Sequence, residues 1–333
     1  MGFGEWISDN ETLLNGVAAV VVIIGFLGAI GQKFFSQTVY GRNSQNKLGK
    51  ITLSKLSSPS PFPIRFANSE GVNIAFNEQG QNGPTILVTP GIISNLHISS
   101  NLPPIKSTMQ SLAKFARVVN FDKRGQGLSD PISKVASIDE RIKDISSVAD
   151  NSNSEKFFLM GISEGGPMSI QFAVENPSRV LGLILFGTTA KFSRGDDYPI
   201  GISDNALNSL ASMWGTGAAR DIFFPSLSRA VIDDETYRGF EKLLADKRSM
   251  GQIVEYMKML DVRPLLERVS CPTLVIHFTG DLAVPIRMGR YLADTIPAAQ
   301  FLEIAGVDHC DLGNAPTAIK AIKNLISAPP LTH

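Results

Sequence analysis

The chain has 333 residues, and its 31 Lys and Arg balance its 31 Asp and Glu, so the formal net charge is zero at pH 7. A neutral chain with no dense basic patch has no electrostatic reason to bind nucleic acid, and we expect no nucleic-acid partner. Two cysteines, Cys271 and Cys310, are too few for a disulfide scaffold and have no metal-ligand spacing, which favours a reducing compartment. The length suits one catalytic domain with an insertion and a tail.

The first feature along the chain is an apolar segment near the N-terminus. No charged residue occurs from Thr12 to Gln32, and about twenty apolar residues can span a bilayer as a helix. Residues 1–32 are therefore predicted to be a transmembrane anchor. A cleaved signal peptide is the alternative, but Glu5, Asp9 and Glu11 stand where its positively charged region belongs.

A polar tether is predicted over residues 33–62, which are rich in Ser, Gln, Asn and Lys. No acidic residue follows the apolar segment until Glu70, whereas the tether itself carries five basic residues: Lys33, Arg42, Lys47, Lys50 and Lys55. Because positive charge favours the inner side of a membrane, we expect a single-pass membrane protein with its catalytic domain in the cytoplasm.

Residues 63–328 read as one α/β domain. Strand-like runs alternate there with helical stretches, at 72–78, 85–89, 117–121, 156–160, 181–186, 272–278 and 300–304. This alternation predicts a mainly parallel central sheet flanked by helices. The interval 193–266 contains helix-like segments only, and we interpret it as a helical cap.

A candidate nucleophile stands between the run at 156–160 and a helix-like stretch that begins at Pro167. The five residues from Gly161 to Gly165 read Gly-Ile-Ser-Glu-Gly, a G-x-S-x-G pattern at a strand-to-helix corner. A serine on such a tight elbow needs small neighbours two positions away. The pattern therefore indicates Ser163 as a nucleophile.

A serine nucleophile needs a base, and the sequence offers His97, His277, His309 and His333. In elbow enzymes the acid and then the histidine follow the serine along the chain, which makes His97 and the C-terminal His333 poor candidates. His277 lies inside a strand-like apolar run and is typical of a core residue. His309 lies in a turn after the run at 300–304, where catalytic groups of open α/β sheets occur, and is the predicted base.

Asp281 follows the strand-like run that contains His277, in a turn supported by glycine and proline. It completes the order Ser163, Asp281, His309. Asp308 and Asp311 are alternative carboxylates beside His309, although adjacent positions in a loop point elsewhere, and these two more readily cap the following helix.

An oxyanion hole is expected where the run at 85–89 ends. We assign its donors to the backbone amides of Ile92 and Glu164. Pro90 stands before Gly91, where many hydrolases have histidine, so this loop must be held in another way. The nearby Arg124 segment lacks a P-loop ending, and Arg124 is expected to bond backbone or a carboxylate rather than a ligand.

Together these segments resemble the α/β-hydrolases, and in particular the serine-hydrolase domains joined to bacterial adenylate/guanylate cyclases and regulators. The resemblance covers roughly residues 62–328 and rests on the motifs Gly91–Leu96, Asn120–Asp130, Gly161–Met168, Met213–Gly217, Pro225–Leu227, Gly280–Asp281 and Asp308–His309. It implies the α/β-hydrolase fold with a cap and the triad of Ser163, Asp281 and His309. The natural substrates of such domains are poorly defined as a group.

The expected function is a serine hydrolase that cleaves a carboxylic ester or thioester of a small or lipophilic acid, with no metal or organic cofactor. One alternative is a ligand-sensing module that turns over slowly or not at all. A C–C bond hydrolase or a perhydrolase with the same triad is another, since the fold does not fix the substrate. Aromatic and methionine residues of the cap, such as Trp214, Phe223, Phe224, Met250, Tyr256, Met257 and Met259, are expected to form its core rather than an acyl pocket.

Overall fold

The structure is a computed structural model that describes residues 49–81 and 83–328. The predicted anchor at residues 1–32 and the first part of the tether lie outside these residues. Of the helices within them, none has the length and apolar character needed to cross a bilayer. The membrane anchor and the cytoplasmic placement of the domain thus stay predictions.

An eight-stranded sheet forms the centre of the domain, in the order β1-β2-β4-β3-β5-β6-β7-β8. Strands β3 to β8 run parallel, while β1 and β2 pair antiparallel at one edge. The strands are β1 Arg65–Ser69, β2 Val72–Gln79, β3 Thr85–Thr89, β4 Arg117–Phe121, β5 Phe157–Ile162, β6 Val180–Phe186, β7 Thr273–Phe278 and β8 Gln300–Ile304. The predicted mainly parallel sheet is confirmed. Only β1 has no counterpart among the predicted runs.

Helices cover both faces of this sheet. In chain order they are α1 Leu53–Leu56, α2 Pro103–Leu112, α3 Ile138–Asn151, α4 Gly165–Glu175, α5 Asp204–Met213, α6 Arg220–Phe223, α7 Asp234–Leu244, α8 Lys247–Met259, α9 Ile286–Thr295 and α10 Pro316–Ser327. Helices α3, α4 and α9 contribute to the core on one face, and α2 and α10 to the core on the other. Every residue of β5 and of β7 is buried, as expected of strands covered on both sides.

Helices α5 to α8 lie between β6 and β7, in the interval assigned to the cap. Ser203, Asp233 and Asp246 begin three of these helices, because each side chain accepts a hydrogen bond from a backbone amide three residues on. Met250, Tyr256 and Met257 are buried in a core that the cap shares with the loops below it, whereas Met259 is 76% exposed. The indole of Trp214 is buried and donates to the carbonyl of Glu241 at 3.0 Å.

Residues 49–62, the second half of the predicted tether, pack against the cap. The side chain of Leu56 is fully buried, and the amide of Ile51 donates to the carbonyl of Val231 at 2.7 Å. Ile51 and Leu56 share a hydrophobic cluster with Tyr237 and Phe240 of α7. The folded domain therefore extends N-terminal of the predicted boundary at residue 63, because two well-spaced apolar side chains suffice to bind this polar segment to the cap.

We expect Leu56→Ala to lower the free energy of unfolding of the full chain by about 2–5 kcal/mol, since it removes a fully buried side chain and leaves a cavity. Leu243→Ala is the matched control, because Leu243 is 45% exposed and its loss should cost less than about 1 kcal/mol. Urea unfolding measures both. Equal costs for the two variants would show that residues 49–62 do not belong to the fold.

Candidate active site

Ser163 occupies the corner between β5 and α4 with a backbone φ of +53°, in the left-handed region that side chains rarely adopt. The glycines on either side explain how the corner closes. A Cβ at Gly161 would lie 2.7 Å from the Ser169 hydroxyl of α4, and one at Gly165 would collide with the carbonyls of Thr89 and Pro90. The expected strand–turn–helix elbow is present.

Asp281 and His309 lie at the carboxyl-terminal ends of β7 and β8 and contact each other. His309 Nδ1 lies 2.7 Å from Asp281 Oδ2, and both side chains are buried. The other oxygen, Asp281 Oδ1, accepts the amides of Ala283 at 2.9 Å and Val284 at 3.0 Å, which fixes the carboxylate. His309 therefore presents its Nε2 away from Asp281.

The environment of this pair sets its protonation. Burial raises the pKa of Asp281, but the neighbouring His309 and His277 outweigh it and lower that pKa to about 2. Burial likewise disfavours the charged form of His309, yet the Asp281 carboxylate and Cys310 raise the His309 pKa well above its ordinary value. A stable carboxylate beside a more basic imidazole suits a proton acceptor.

His277 is a buried core residue, as its place in a strand predicts. Its Nε2 lies 2.6 Å from the carbonyl of Val284 and 3.5 Å from Asp281 Oδ2. It helps to hold the turn that carries Asp281.

Ser163 and His309 line the same cavity, which measures about 1160 Å³ counted out to its open mouth. His309 Nε2 is buried and has no hydrogen-bond partner within residues 49–81 and 83–328. The wall is largely apolar and includes the cap side chains of Tyr237, Phe240 and Leu244. It also includes Trp214, Phe223 and Phe224, which the sequence assigns to the core of the cap. The cavity thus brings a serine hydroxyl, an imidazole nitrogen and an apolar surface together.

The loop after β3 closes against the elbow. A Cβ at Gly91 would lie 3.2 Å from Ser163 Cβ, a tight contact that glycine avoids. The amides of Ile92 and Glu164 donate to no group of the described residues. Both belong to segments that border Ser163, as the assignment of the oxyanion donors requires.

A buried ion network, which no sequence motif predicts, holds this loop. The Lys123 ammonium donates to the carbonyl of Gly91 at 2.6 Å and to that of Ile92 at 3.3 Å, and it pairs with the carboxylate of Glu164. Arg141 of α3 binds the second Glu164 oxygen at 2.7 Å and lies over the ring of Tyr256. Lys123 replaces the support that histidine before Gly91 would supply. Burial lowers the Lys123 pKa to about 8, although Glu164 opposes this.

The remaining polar candidates have structural partners. Asp308 accepts the amide of Ser226 at 2.9 Å and ties the cap to the His309 loop, and burial raises the Asp308 pKa to about 6. Asp311 bonds Ser107 and Asn314. Arg124 binds the buried carboxylate of Asp144, as the sequence predicts. Cys271 and Cys310 are both free thiols.

Residues 108–312, more than half of the chain, match the family described as serine aminopeptidase, S33, and the chain belongs to this family. Its fold is that of the α/β-hydrolases. The esterase EaEST from Exiguobacterium antarcticum superposes with a TM-score of 0.68 at 18% identity, over 79% of this chain and 99% of that one.

Two curated relatives differ in what their names describe. The chain is 25% identical to 3-oxoadipate enol-lactonase 1 of Acinetobacter baylyi, over 70% of this chain and 88% of the relative. It is 21% identical to Karrikin insensitive 2 receptor IA of Petunia hybrida, over 69% of this chain and 84% of the relative. One is named as an enzyme and the other as a receptor.

We expect Glu164→Gln to lower the free energy of unfolding by about 3–5 kcal/mol, because Lys123 and Arg141 are then left as buried cations without a counter-charge. The same substitution at Glu255 is the control. Glu255 pairs with Lys258 while 65% exposed, so its loss should change the stability by less than about 1 kcal/mol. Similar effects of the two substitutions in urea unfolding would contradict a structural role for the Glu164 network.

Proposed function

We propose that the protein is a serine hydrolase that cleaves a carboxylic ester or thioester through an acyl-enzyme intermediate. The observation that carries this proposal is the His309–Asp281 pair. His309 Nε2 is buried in the cavity that Ser163 also lines, and no group of the described residues bonds to it. A nucleophile, a base and a group that orients the base are the parts that acyl transfer requires.

In the proposed reaction, His309 Nε2 takes the proton from the Ser163 hydroxyl while Oγ attacks the substrate carbonyl carbon. The amides of Ile92 and Glu164 donate to the oxyanion that forms. His309 then passes its proton to the leaving alcohol or thiol as the carbon–oxygen or carbon–sulfur bond breaks. Water attacks the acyl-Ser163 ester with His309 as base, and the acid leaves. Asp281 stays ionised and stabilises the imidazolium throughout.

The substrate is proposed to be small or lipophilic, because the cavity beyond Ser163 is lined mainly by apolar side chains of the cap and of α2. The enol-lactonase and the esterase among its relatives support an ester-like bond. The apolar wall of the cavity also excludes water, which strengthens the polar interactions at the substrate carbonyl.

A ligand-sensing module with slow or absent turnover is the second candidate. The receptor named among the relatives favours it, since the sequence match covers 84% of that protein. The paired Asp281 and His309 favour the enzyme, because binding alone requires no oriented base. Saturable binding without turnover, undiminished in Ser163→Ala, would identify a sensor.

Ser163→Ala should lower kcat/KM for nitrophenyl esters by about four orders of magnitude or more, because it removes the nucleophile. The series should run from acetyl to long acyl esters. Ser212→Ala is the control, since Ser212 is an exposed serine on the cap, and we expect wild-type rates for it. Turnover that survives in Ser163→Ala would refute Ser163 as the nucleophile.

The dependence of kcat/KM on pH should follow the protonation of His309. Activity is expected to fall as the pH drops through the His309 pKa, because imidazolium cannot accept the serine proton. Since that pKa is raised, the midpoint should lie above the ordinary value of 6.5. Asp281 contributes no second step until about pH 2. A midpoint at or below 6.5 would contradict this coupling, and NMR titration of His309 in Asp281→Asn should show a lower pKa.

A further inference from the structure

The cavity continues past Ser163 to a pair of amide side chains on the neighbouring strands. Asn77 of β2 and Asn120 of β4 both line it, and the two residues are directly paired across the antiparallel strands. Paired residues project from the same face of a sheet with their Cβ atoms about 5 Å apart. The two amides thus stand side by side in the wall of the cavity.

These amides carry buried polar atoms without partners. Asn77 is 1% exposed, and neither its Oδ1 nor the Nδ2 of Asn120 has a hydrogen-bond partner among the residues that the structure describes. A buried polar atom left unpaired is costly, so this arrangement calls for a ligand. His309 Nε2, which faces the proposed reacting serine, has the same property in the same cavity.

The two unpaired atoms are chemically complementary, one an acceptor and the other a donor, and yet they do not bond to each other. The Asn77 amide is oriented by its Nδ2, which lies 3.5 Å from the Ser60 hydroxyl. A hydroxyl group between the two can donate to Asn77 Oδ1 and accept from Asn120 Nδ2, which satisfies both atoms.

The order of the strands decides which part of the substrate reaches this pair. Asn120 lies on β4, whereas Ser163 follows β5 and His309 follows β8 at the opposite side of the sheet. His309 must deliver its proton to the leaving group, so the leaving group lies on the β8 side. The acyl group therefore points toward Asn77 and Asn120.

The distance suits an acyl chain of medium length. Asn120 of β4 is in register with Val88 of β3, and Val88 is in register with Met160 of β5. Ser163 lies three residues beyond Met160, so Asn120 and Ser163 are offset by about 10 Å along the strand direction. Strand β3 lies between β5 and β4, so these strands are two spacings apart, which adds about 10 Å across the sheet. Val88, Met109 and Ile105 contribute apolar side chains to the cavity wall on this side, beside the polar Gln79, Thr108 and Asp122. An apolar chain with a polar end matches this path.

We propose that Asn77 and Asn120 form a polar subsite that binds a hydroxyl group at the far end of a medium-length acyl chain. This rests on the proposed ester hydrolysis and names the class of acid: a hydroxylated fatty acid whose hydroxyl lies at the end remote from the ester. The subsite discriminates because a plain chain offers no partner to Asn77 Oδ1 or to Asn120 Nδ2.

The first experiment compares matched nitrophenyl esters with the full-length protein: hexanoyl, octanoyl and decanoyl esters, each with and without a terminal hydroxyl. At the best chain length, the hydroxylated ester should have a kcat/KM about tenfold or more above that of the plain ester. Equal or lower values at every length, with Ser163-dependent turnover intact, would overturn the subsite and leave the esterase standing.

The second measurement needs no turnover. Calorimetric titration of Ser163→Ala with the corresponding acids should show tighter binding of the hydroxy acid than of the plain acid. This preference without any ester turnover in the wild type would support the subsite while refuting the hydrolase. If the protein prefers neither the hydroxylated acid nor the hydroxylated ester over its plain counterpart, the subsite is refuted.

Variants locate the effect. Asn77→Leu and Asn120→Leu, singly and together, should reduce the hydroxyl preference toward one or invert it, because leucine has a similar size and no polar atom. Asn73→Leu is the control, since Asn73 lies on the same strand but is exposed and does not line the cavity. If a leucine variant fails to fold, the test is the wild-type preference for each hydroxylated ester over its plain counterpart. An unchanged preference in folded Asn77→Leu and Asn120→Leu would contradict the assignment.

Discussion

One buried carboxylate connects the parts of this active site. Glu164 follows Ser163 on the elbow and pairs with Lys123 after β4 and with Arg141 of α3. Lys123 in turn binds two carbonyls of the loop after β3, and Arg141 lies against Tyr256 of the cap. Removing Glu164 leaves two cations without a counter-charge at about 1–3% exposure, so the elements that carry Lys123 and Arg141 depend on this one carboxylate. The oxyanion loop has no histidine before Gly91, and this network explains how it keeps its position.

The strain at the elbow and the network support each other. Ser163 holds a φ of +53°, which an isolated strand-to-helix turn would relax. The amide of Ser163 donates to the carbonyl of Phe186 at 3.0 Å, and its own carbonyl accepts the amide of Gly166 at 3.0 Å. The bond to Phe186 of β6 holds the elbow from one side, and the loop that Lys123 binds holds it from the other. Ser163 is thereby kept in the cavity wall. Positioning of this kind removes the entropic cost of orienting a nucleophile during the reaction.

Much of the fold could be predicted from sequence, because continuous apolar runs separated by helical periods identify a parallel sheet. The first strand could not, since Arg65–Ser69 is a short edge strand that exposes Arg65 and Phe66 and has no clear alternation. Residues 49–62 looked like a tether because their composition is polar, and only two buried side chains bind them to the cap. The elbow at Ser163 and the turns that carry Asp281 and His309 could be predicted from spacing and loop position, and their catalytic roles stay predictions. The buried network of Lys123, Arg141 and Glu164 could not be predicted, because the sequence does not distinguish a buried ion pair from a solvated one.

The same limit applies to specificity. Asn77 lies in a strand whose burial pattern runs through four consecutive buried residues, and one asparagine there suggests only a tolerated polar position. Its meaning appears when the register places it opposite Asn120 and the cavity reaches both. Apolar side chains around a cavity distinguish substrates weakly, since each additional methylene changes binding by only about 1–3 kcal/mol. The proposed polar subsite can distinguish one polar group from none. In the proposed function, the reaction chemistry is set at the carboxyl ends of β5, β7 and β8, whereas the choice of acid is set by the paired asparagines of β2 and β4.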